Sequence, residues 1–359
     1  MPETPEDQAA DLVERLFEDL LGAITTFSVF LGDRLGLYRA LAAGGPATPA
    51  ELAARSGIHE RYAREWLEHQ AVDGILEASK ERDADRRTYT LPPGHAEVLT
   101  NVESLSYFAP FSRLVAAAGI QAPRLLEAYR TGGGVAWDAY GPDMREAQGD
   151  ANRPMFFQQL PHDYLAQLPD LYERLTSEDG ARIADIGCGL GWSSIALAKA
   201  FPGVHVDGFD LDAPSIEAAR RNAAEAGLDG RVHFHEEDAA EATGAYDLVV
   251  AFECIHDMPR PVDVLATMRQ LAGERGTVLV MDERVAEEFA APADAVERLM
   301  YGYSILICLP DSMSHTPNAA TGTVMRPSTL RTYALEAGFT DVETLPIEND
   351  FFRFYRLHR

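Results

Sequence analysis

Apolar residues recur at intervals of three and four from the first turns of the chain. Leu12, Val13, Leu16, Phe17, Leu20, Leu21 and Ile24 fall on one stripe, the spacing of an amphipathic helix, so residues 7–30 are expected to be helical. Such a stripe must bury against its own domain or a second copy of the chain, and the second copy is favoured. Leu31–Leu41 reads as a further helix. Thr48-Pro49-Ala50-Glu51 is a capping box with proline at the first helical position, opening a helix that ends at Gly57. A third helix runs from His59 to Val72, with Tyr62, Trp66 and Leu67 turned inward. Asp73-Gly74 then turns the chain into a strand over Ile75–Ala78, a loop over Lys80–Arg87 and a return strand at Thr88–Leu91. Residues 93–165 read as mostly helical, rich in aromatics and interrupted at Thr131-Gly132-Gly133-Gly134.

From Arg182 the pattern changes. Short apolar runs at 182–186, 204–210, 231–235, 246–252 and 276–282 alternate with helical stretches at 213–227, 261–271, 293–308 and 327–337. Two last runs, 340–347 and 351–357, form a closing hairpin. This alternation predicts an α/β domain with a largely parallel sheet. The first run ends in Asp185-Ile186-Gly187-Cys188-Gly189-Leu190-Gly191 and leads into a helix. Glycines there let the backbone turn tightly and approach a ligand, and the helix that follows turns free N–H groups toward the same space. The spacing is G-x-G-x-G and differs from the G-x-G-x-x-G of dinucleotide folds. The second run ends in Asp210, 19 residues after Gly191, where a carboxylate is placed to accept hydrogen bonds from ribose hydroxyls. Glu236-Glu237-Asp238-Ala239 and the apolar run to Phe252 come next in order.

Loop, acid, acid and apolar strand in this order resemble the class I S-adenosylmethionine-dependent methyltransferases over residues 150–359. The resemblance implies a Rossmann-like seven-stranded sheet with its last strand antiparallel, with S-adenosylmethionine as cofactor and S-adenosylhomocysteine as product. It implies that Gly187, Gly189 and Gly191 face the amino-acid and ribose parts of the cofactor and that Asp185 orients the loop. Asp210 would bind the ribose, Leu211 would pack on adenine, Asp238 and Ala239 would contact the adenine edge, and Phe252 would lie beside the methionyl end. Phe252-Glu253-Cys254-Ile255-His256-Asp257-Met258 resembles the histidine-aspartate element of small-molecule O-methyltransferases. That assigns His256 as general base toward a substrate hydroxyl, a role suited to its titration range. Its alternative role is to hold the loop by bonding a neighbouring carbonyl. Met258 and Pro259 depart from the family pattern, in which an aromatic residue is usual at the first of these positions. Met155, Phe156, Tyr301 and Tyr303 are the expected substrate-pocket residues, since such pockets are apolar with a few polar groups.

Residues 31–92 resemble a winged helix, and the order of domains resembles that of O-methyltransferases whose first domain dimerises and closes over the substrate. The expected domains are 1–92, winged-helix-like and dimerising; 93–165, a helical lid; and 166–359, binding the cofactor. A winged helix raises the competing reading of a DNA-binding regulator with a cofactor-sensing domain. The third helix, however, sets Arg61 and Arg64 against Glu60, Glu65 and Glu68, and a major-groove reader needs a basic face. The net charge of −26 repels a nucleic-acid backbone. No apolar run is long enough to span a bilayer. No signal peptide is visible in the acidic start. Three scattered cysteines, Cys188, Cys254 and Cys308, form no C-x-x-C motif or disulfide framework. A cytoplasmic homodimer acting on a small, rather apolar molecule is expected, with no metal, nucleic acid or membrane. C- or N-methylation remains an alternative to O-methylation.

Overall fold

The computed structural model describes residues 4–177 and 180–359. The chain divides into two compact units, one ending at Ala116 and the other beginning at Ala117.

The first unit is helical. Thr4 caps its longest helix, Pro5–Arg34, through a reciprocal bond pair with Asp7. Expected as one helix, Leu31–Leu41 is split instead. The long helix runs on to Arg34, Gly36 takes a left-handed φ of 67°, and a new helix begins at Leu37. Glycine tolerates that turn without steric cost. The capping box at Thr48 forms as expected and starts Pro49–Ser56. The helix Glu60–Val72 follows, with Trp66 and Leu67 inward as expected but Tyr62, four residues before Trp66 and in the first turn, turned out to solvent. The expected strand at Ile75 shortens to Glu77–Ala78, paired with Tyr89–Thr90, because the backbone N–H groups of Ile75 and Leu76 donate back to the Gln70 carbonyl. Leu37, Tyr38, Leu41, Leu52, Trp66, Leu67 and Tyr89 form the core of this unit. Along the long helix, Leu12, Leu16, Phe17, Leu20, Ile24 and Phe27 all remain exposed.

The second unit is built on a seven-stranded sheet. Its strands are β1 (Arg182–Ile186), β2 (His205–Asp210), β3 (Val232–Glu236), β4 (Leu248–Phe252), β5 (Thr277–Glu283), β6 (Asp341–Thr344) and β7 (Phe352–His358). Their spatial order is β3-β2-β1-β4-β5-β7-β6. The first five are parallel, and β7 runs antiparallel to both β5 and β6. Side chains alternate across a strand. Ile183, Val206, Val250 and Met281 therefore build one core, and Ala184, Ile186, Val249, Ala251 and Val280 build the other on the opposite face. Strands buried on both faces read as continuous apolar runs, as parallel strands covered by helices must. Each fully buried aliphatic side chain contributes about 1.5–3 kcal/mol. Strand order reverses between β1 and β4, and the crevice outside their carboxyl ends is where an open α/β sheet takes its ligand.

Candidate active site

The loop after β1 forms the floor of that crevice. Gly187, Gly189 and Gly191 all have positive φ, at 68°, 49° and 76°. A Cβ on Gly191 would lie 2.4 Å from the Phe234 ring, whereas one on Gly189 would meet nothing within 4 Å. Gly191 is therefore required by packing, and Gly189 leaves room above the loop. Buried Asp185 accepts from the Ser193 and Ser194 hydroxyls at 2.5 and 2.6 Å, which ties the end of β1 to the first turn of the next helix. Burial pushes its carboxyl up to about 6. Asp210, at the end of β2, accepts the Gly189 N–H at 2.9 Å and the Asp212 N–H at 2.9 Å. Burial raises its pKa against those bonds. Leu211 beside it is 61% exposed, an apolar surface open to a flat ligand. Asp238 accepts from Arg260 Nη2 at 2.5 Å and from the Ala240 N–H, and neighbouring Ala239 is buried.

The loop after β4 carries His256 and meets a cluster of buried acids. His256 is 2% exposed and both ring nitrogens are engaged. Nδ1 lies 2.8 Å from Asp282 Oδ1 and 3.0 Å from Glu283 Oε2, and Nε2 lies 3.2 Å from Asp257 Oδ1. Burial opposes charge on the ring, but Asp257, Asp282 and Glu283 together hold its pKa well above the ordinary value. Asp282, against the same burial, is held below its own by the ring. Burial raises Glu283 well above the usual carboxylate range. The arrangement therefore favours charge on the imidazole paired with Asp282 and disfavours charge on Glu283. Two trios of metal-type ligands, His256 with Asp282 and Glu283 and His256 with Asp257 and Cys308, fall within 4.8 Å.

Several members of this site were not singled out in the sequence. Asp282 and Glu283 close the otherwise apolar run of β5, and an acid ending such a run was the available signal. Glu253 follows Phe252 in the same manner. The helix Gly141–Gln158 also contributes residues that no motif marked. Arg145 pairs bidentately with Asp212 at 2.5 and 2.8 Å, and Gln148 and Asn152 donate to Glu253 at 2.9 and 3.0 Å.

The expected pocket residues separate. Met155 and Phe156 are each 7% exposed and belong to the core, with Phe156 5.6 Å from Phe252, itself buried. Tyr303 lies close enough to Glu253, Glu283 and Cys308 for their charges to raise its pKa, though burial is the larger cause. Tyr301, two residues away on the same helix, is 37% exposed and accepts from Arg326. Residues two apart on a helix face different ways. The helix expected over 293–308 ends at Tyr303 and passes into a wide π turn over Ser304–Cys308, a local distortion frequent at functional sites.

Comparison with known proteins decides the family. Residues 177–318 match a model described as a methyltransferase domain, and residues 23–101 one described as an Rv2258c-like winged HTH domain. The ubiquinone biosynthesis O-methyltransferase of Aromatoleum aromaticum is 32% identical over 180 residues, covering 49% of this chain and 71% of that protein. The chain belongs to the S-adenosylmethionine-dependent methyltransferases. The Bordetella pertussis protein of the same name is 37% identical over 110 residues, 45% of its length, so the chain spans under half of that relative. The fold of this methyltransferase matches a solved structure of the mitomycin 7-O-methyltransferase MmcR with a TM-score of 0.71 at 21% identity, over 98% of this chain and 99% of that one. It also matches human N-acetylserotonin methyltransferase, solved with its cofactor, with a TM-score of 0.67 at 18% identity, over 99% of each chain. The methyltransferase's own residues fit the cofactor: open space above Gly189, a carboxylate at Asp210 with lone pairs to spare, and exposed Leu211 beside it.

Proposed function

We propose that this methyltransferase acts on a small, rather apolar molecule at a hydroxyl group, in the crevice outside β1 and β4. The single observation carrying this reading is the chain Asp282–His256–Asp257 at the carboxyl ends of β4 and β5, a buried imidazole fixed on one side and faced on the other by a carboxylate that is 30% exposed. The names of the relatives and neighbours, which include O-methyltransferases, support a hydroxyl acceptor. In our reading the glycine loop faces the amino-acid and ribose parts of the cofactor, Asp210 holds the ribose, Leu211 packs on the adenine, and Asp238 and Ala239 flank the edge of the base. S-adenosylmethionine, when bound, supplies a methyl group on a sulfonium that leaves as a neutral thioether.

The acceptor hydroxyl takes the place of Asp257 at His256 Nε2. Loss of that carboxylate from the ring lowers the histidine pKa toward the working range, and the ring then accepts the hydroxyl proton while Asp282 holds Nδ1. The remaining task of the protein is to align the nucleophile and exclude water. Tyr303 borders the acceptor, and Met155 and Phe156 back the pocket from the core.

We further infer a cytoplasmic homodimer with no nucleic-acid role. On the helix Glu60–Val72, Arg61 and Arg64 pair with Glu65 and Asp85, and Arg87 from the wing pairs with Glu68. A duplex would have to compete for each of those cations. No single helix among the described residues is long and apolar enough to cross a membrane.

Calorimetric titration of S-adenosylhomocysteine into the wild type and Asp210→Ala tests the cofactor site. Strong binding that falls at least tenfold in the variant is expected, and equal affinity would remove Asp210 from the site. Once an acceptor is found, His256→Asn should lower kcat by 10²–10⁴, the usual contribution of a positioned base, with cofactor affinity kept.

A further inference from the structure

Glu253 occupies a position that packing alone does not account for. Its φ of 52° is in the left-handed region, which non-glycine residues seldom enter and which, when held, marks functional segments. It is the first residue after β4, and the next residue, Cys254, presses on the glycine loop: a Cβ at Gly187 would lie 2.8 Å from Cys254 Sγ. On its other side stands the helix Gly141–Gln158. Gln148 and Asn152, four apart and so on one face, both donate to the same oxygen, Glu253 Oε2. Gly149 lies between them in sequence, where a Cβ would meet Leu190 of the glycine loop at 2.6 Å. Glu253 thus sits in the layer between loop and helix, with one oxygen fixed by two amides. Its second oxygen, Oε1, is buried with no hydrogen-bond partner among the described residues. No Lys or Arg pairs with it among the described residues. A carboxylate held in this way has no cation bonded to it among the described residues.

The two positive groups of the cofactor lie at its methionyl end, as a sulfonium and a primary ammonium. Only the ammonium donates hydrogen bonds, and an unpartnered carboxylate oxygen is an acceptor. We propose that Glu253 receives the α-ammonium group of the cofactor through Oε1, with Gln148 and Asn152 as positioning residues that aim the carboxylate. This rests on the cofactor placement proposed above and extends it to residues outside the glycine loop and Asp210. The assignment makes the helix Gly141–Gln158 part of the cofactor site: Arg145 braces Asp212, next to the adenosine end, and Gln148 and Asn152 brace the methionyl end.

The test uses two probes that share the adenosine part: S-adenosylhomocysteine, which carries the ammonium, and 5′-methylthioadenosine, which lacks the whole amino-acid portion. Both are titrated calorimetrically into the full-length wild type, Glu253→Gln and Asn152→Leu. In Glu253→Gln the affinity for S-adenosylhomocysteine should fall at least tenfold while that for methylthioadenosine stays within twofold, which also reports an intact fold. Asn152→Leu keeps the acid but loosens its aim, and should show a smaller loss of the same kind. It carries the test if Glu253→Gln does not fold. Unchanged S-adenosylhomocysteine affinity in a variant that still binds methylthioadenosine would overturn the role of Glu253 and leave the cofactor site standing. Failure of the wild type to bind either probe would overturn both.

Discussion

His256 and Glu253 show how much of this site depends on single buried charges. His256 is the cation that Asp282 faces from a position 1% exposed. Its folded-state pKa is raised, so the stability it contributes is complete below its unfolded pKa, near 6.5, and is lost only as pH rises through the raised folded value. Replacing it with alanine leaves Asp282 buried without a counter-charge, a loss of about 3–5 kcal/mol. Urea unfolding of His256→Ala at pH 7 should show a deficit of that order, smaller at pH 5, where Asp282 can take up a proton. A deficit below about 1 kcal/mol at pH 7 would mean that the pair contributes little. Glu253 behaves in the opposite sense. Burial pushes its carboxyl up to about 7, with Asn152, His256 and Gln148 pulling it down and Asp282 pushing it up. Tyr303 also faces it and is raised by its charge. An acid whose folded pKa exceeds its unfolded one loses stability as pH climbs between the two. The ligand-free wild type should therefore lose stability from pH 5 to 7 relative to Glu253→Gln. Over the same interval, S-adenosylhomocysteine should bind the wild type progressively more tightly and Glu253→Gln at nearly constant affinity. Parallel pH profiles for the two proteins would remove Glu253 as the titrating group.

At the scale of elements, the glycine loop separates two uses of one residue type. Gly191 is pinned by Phe234 and Ala219, and a Cβ there would lie 2.4 Å from a ring carbon and 3.0 Å from a methyl. Gly191→Ala combines left-handed strain with overpacking, costing about 2–4 kcal/mol, and should appear as a lowered Tm. At Gly189 the added methyl meets no protein atom within 4 Å. Gly189→Ala should leave Tm nearly unchanged, apart from about 1 kcal/mol of backbone strain, and should weaken S-adenosylhomocysteine binding instead. A large Tm loss at Gly189 with affinity kept would reverse the assignment. The glycine loop, the alternation of strands with helices and the acid that ends the second run at Asp210 were legible in the sequence because each is local: a glycine spacing, an apolar run, an acid at a strand end. The acid cluster was not. Asp257, Asp282 and Glu283 come from two strand ends far apart in sequence, and only the parallel pairing of β4 with β5 sets them around His256. The helix Gly141–Gln158 was hidden for another reason. Its Arg145, Gln148 and Asn152 are ordinary surface residue types, and what distinguishes them is the partner that each finds. Nor did spacing show that Leu31–Leu41 would break, since its apolar repeat runs through Gly36 without marking the turn.

At the scale of the molecule, two features oppose each other. The helix Pro5–Arg34 presents Leu12, Leu16, Phe17, Leu20, Ile24 and Phe27 at between 46% and 57% exposure, a stripe that favours burial against a second copy. Each copy also carries a net charge of −26, which repels another of its kind. The apolar term depends little on moderate salt, whereas the repulsion is screened beyond about 10 Å at 0.1 M ionic strength. A dimer held by this stripe should therefore tighten as salt rises from about 10 to 300 mM, the reverse of an association held by ion pairs. Light scattering at micromolar concentration should report twice the chain mass at the higher salt. It should report a single chain for the double variant Phe17→Glu, Leu20→Glu, which adds a charge at two central positions of the stripe. Neither residue belongs to a buried core cluster, so the variant should keep the fold of each unit, checked by an unchanged far-ultraviolet circular dichroism spectrum. A wild type that remains a single chain at every salt concentration would show that the stripe does not pair copies of this protein, and a dimer that survives both glutamates would place the contact on another surface.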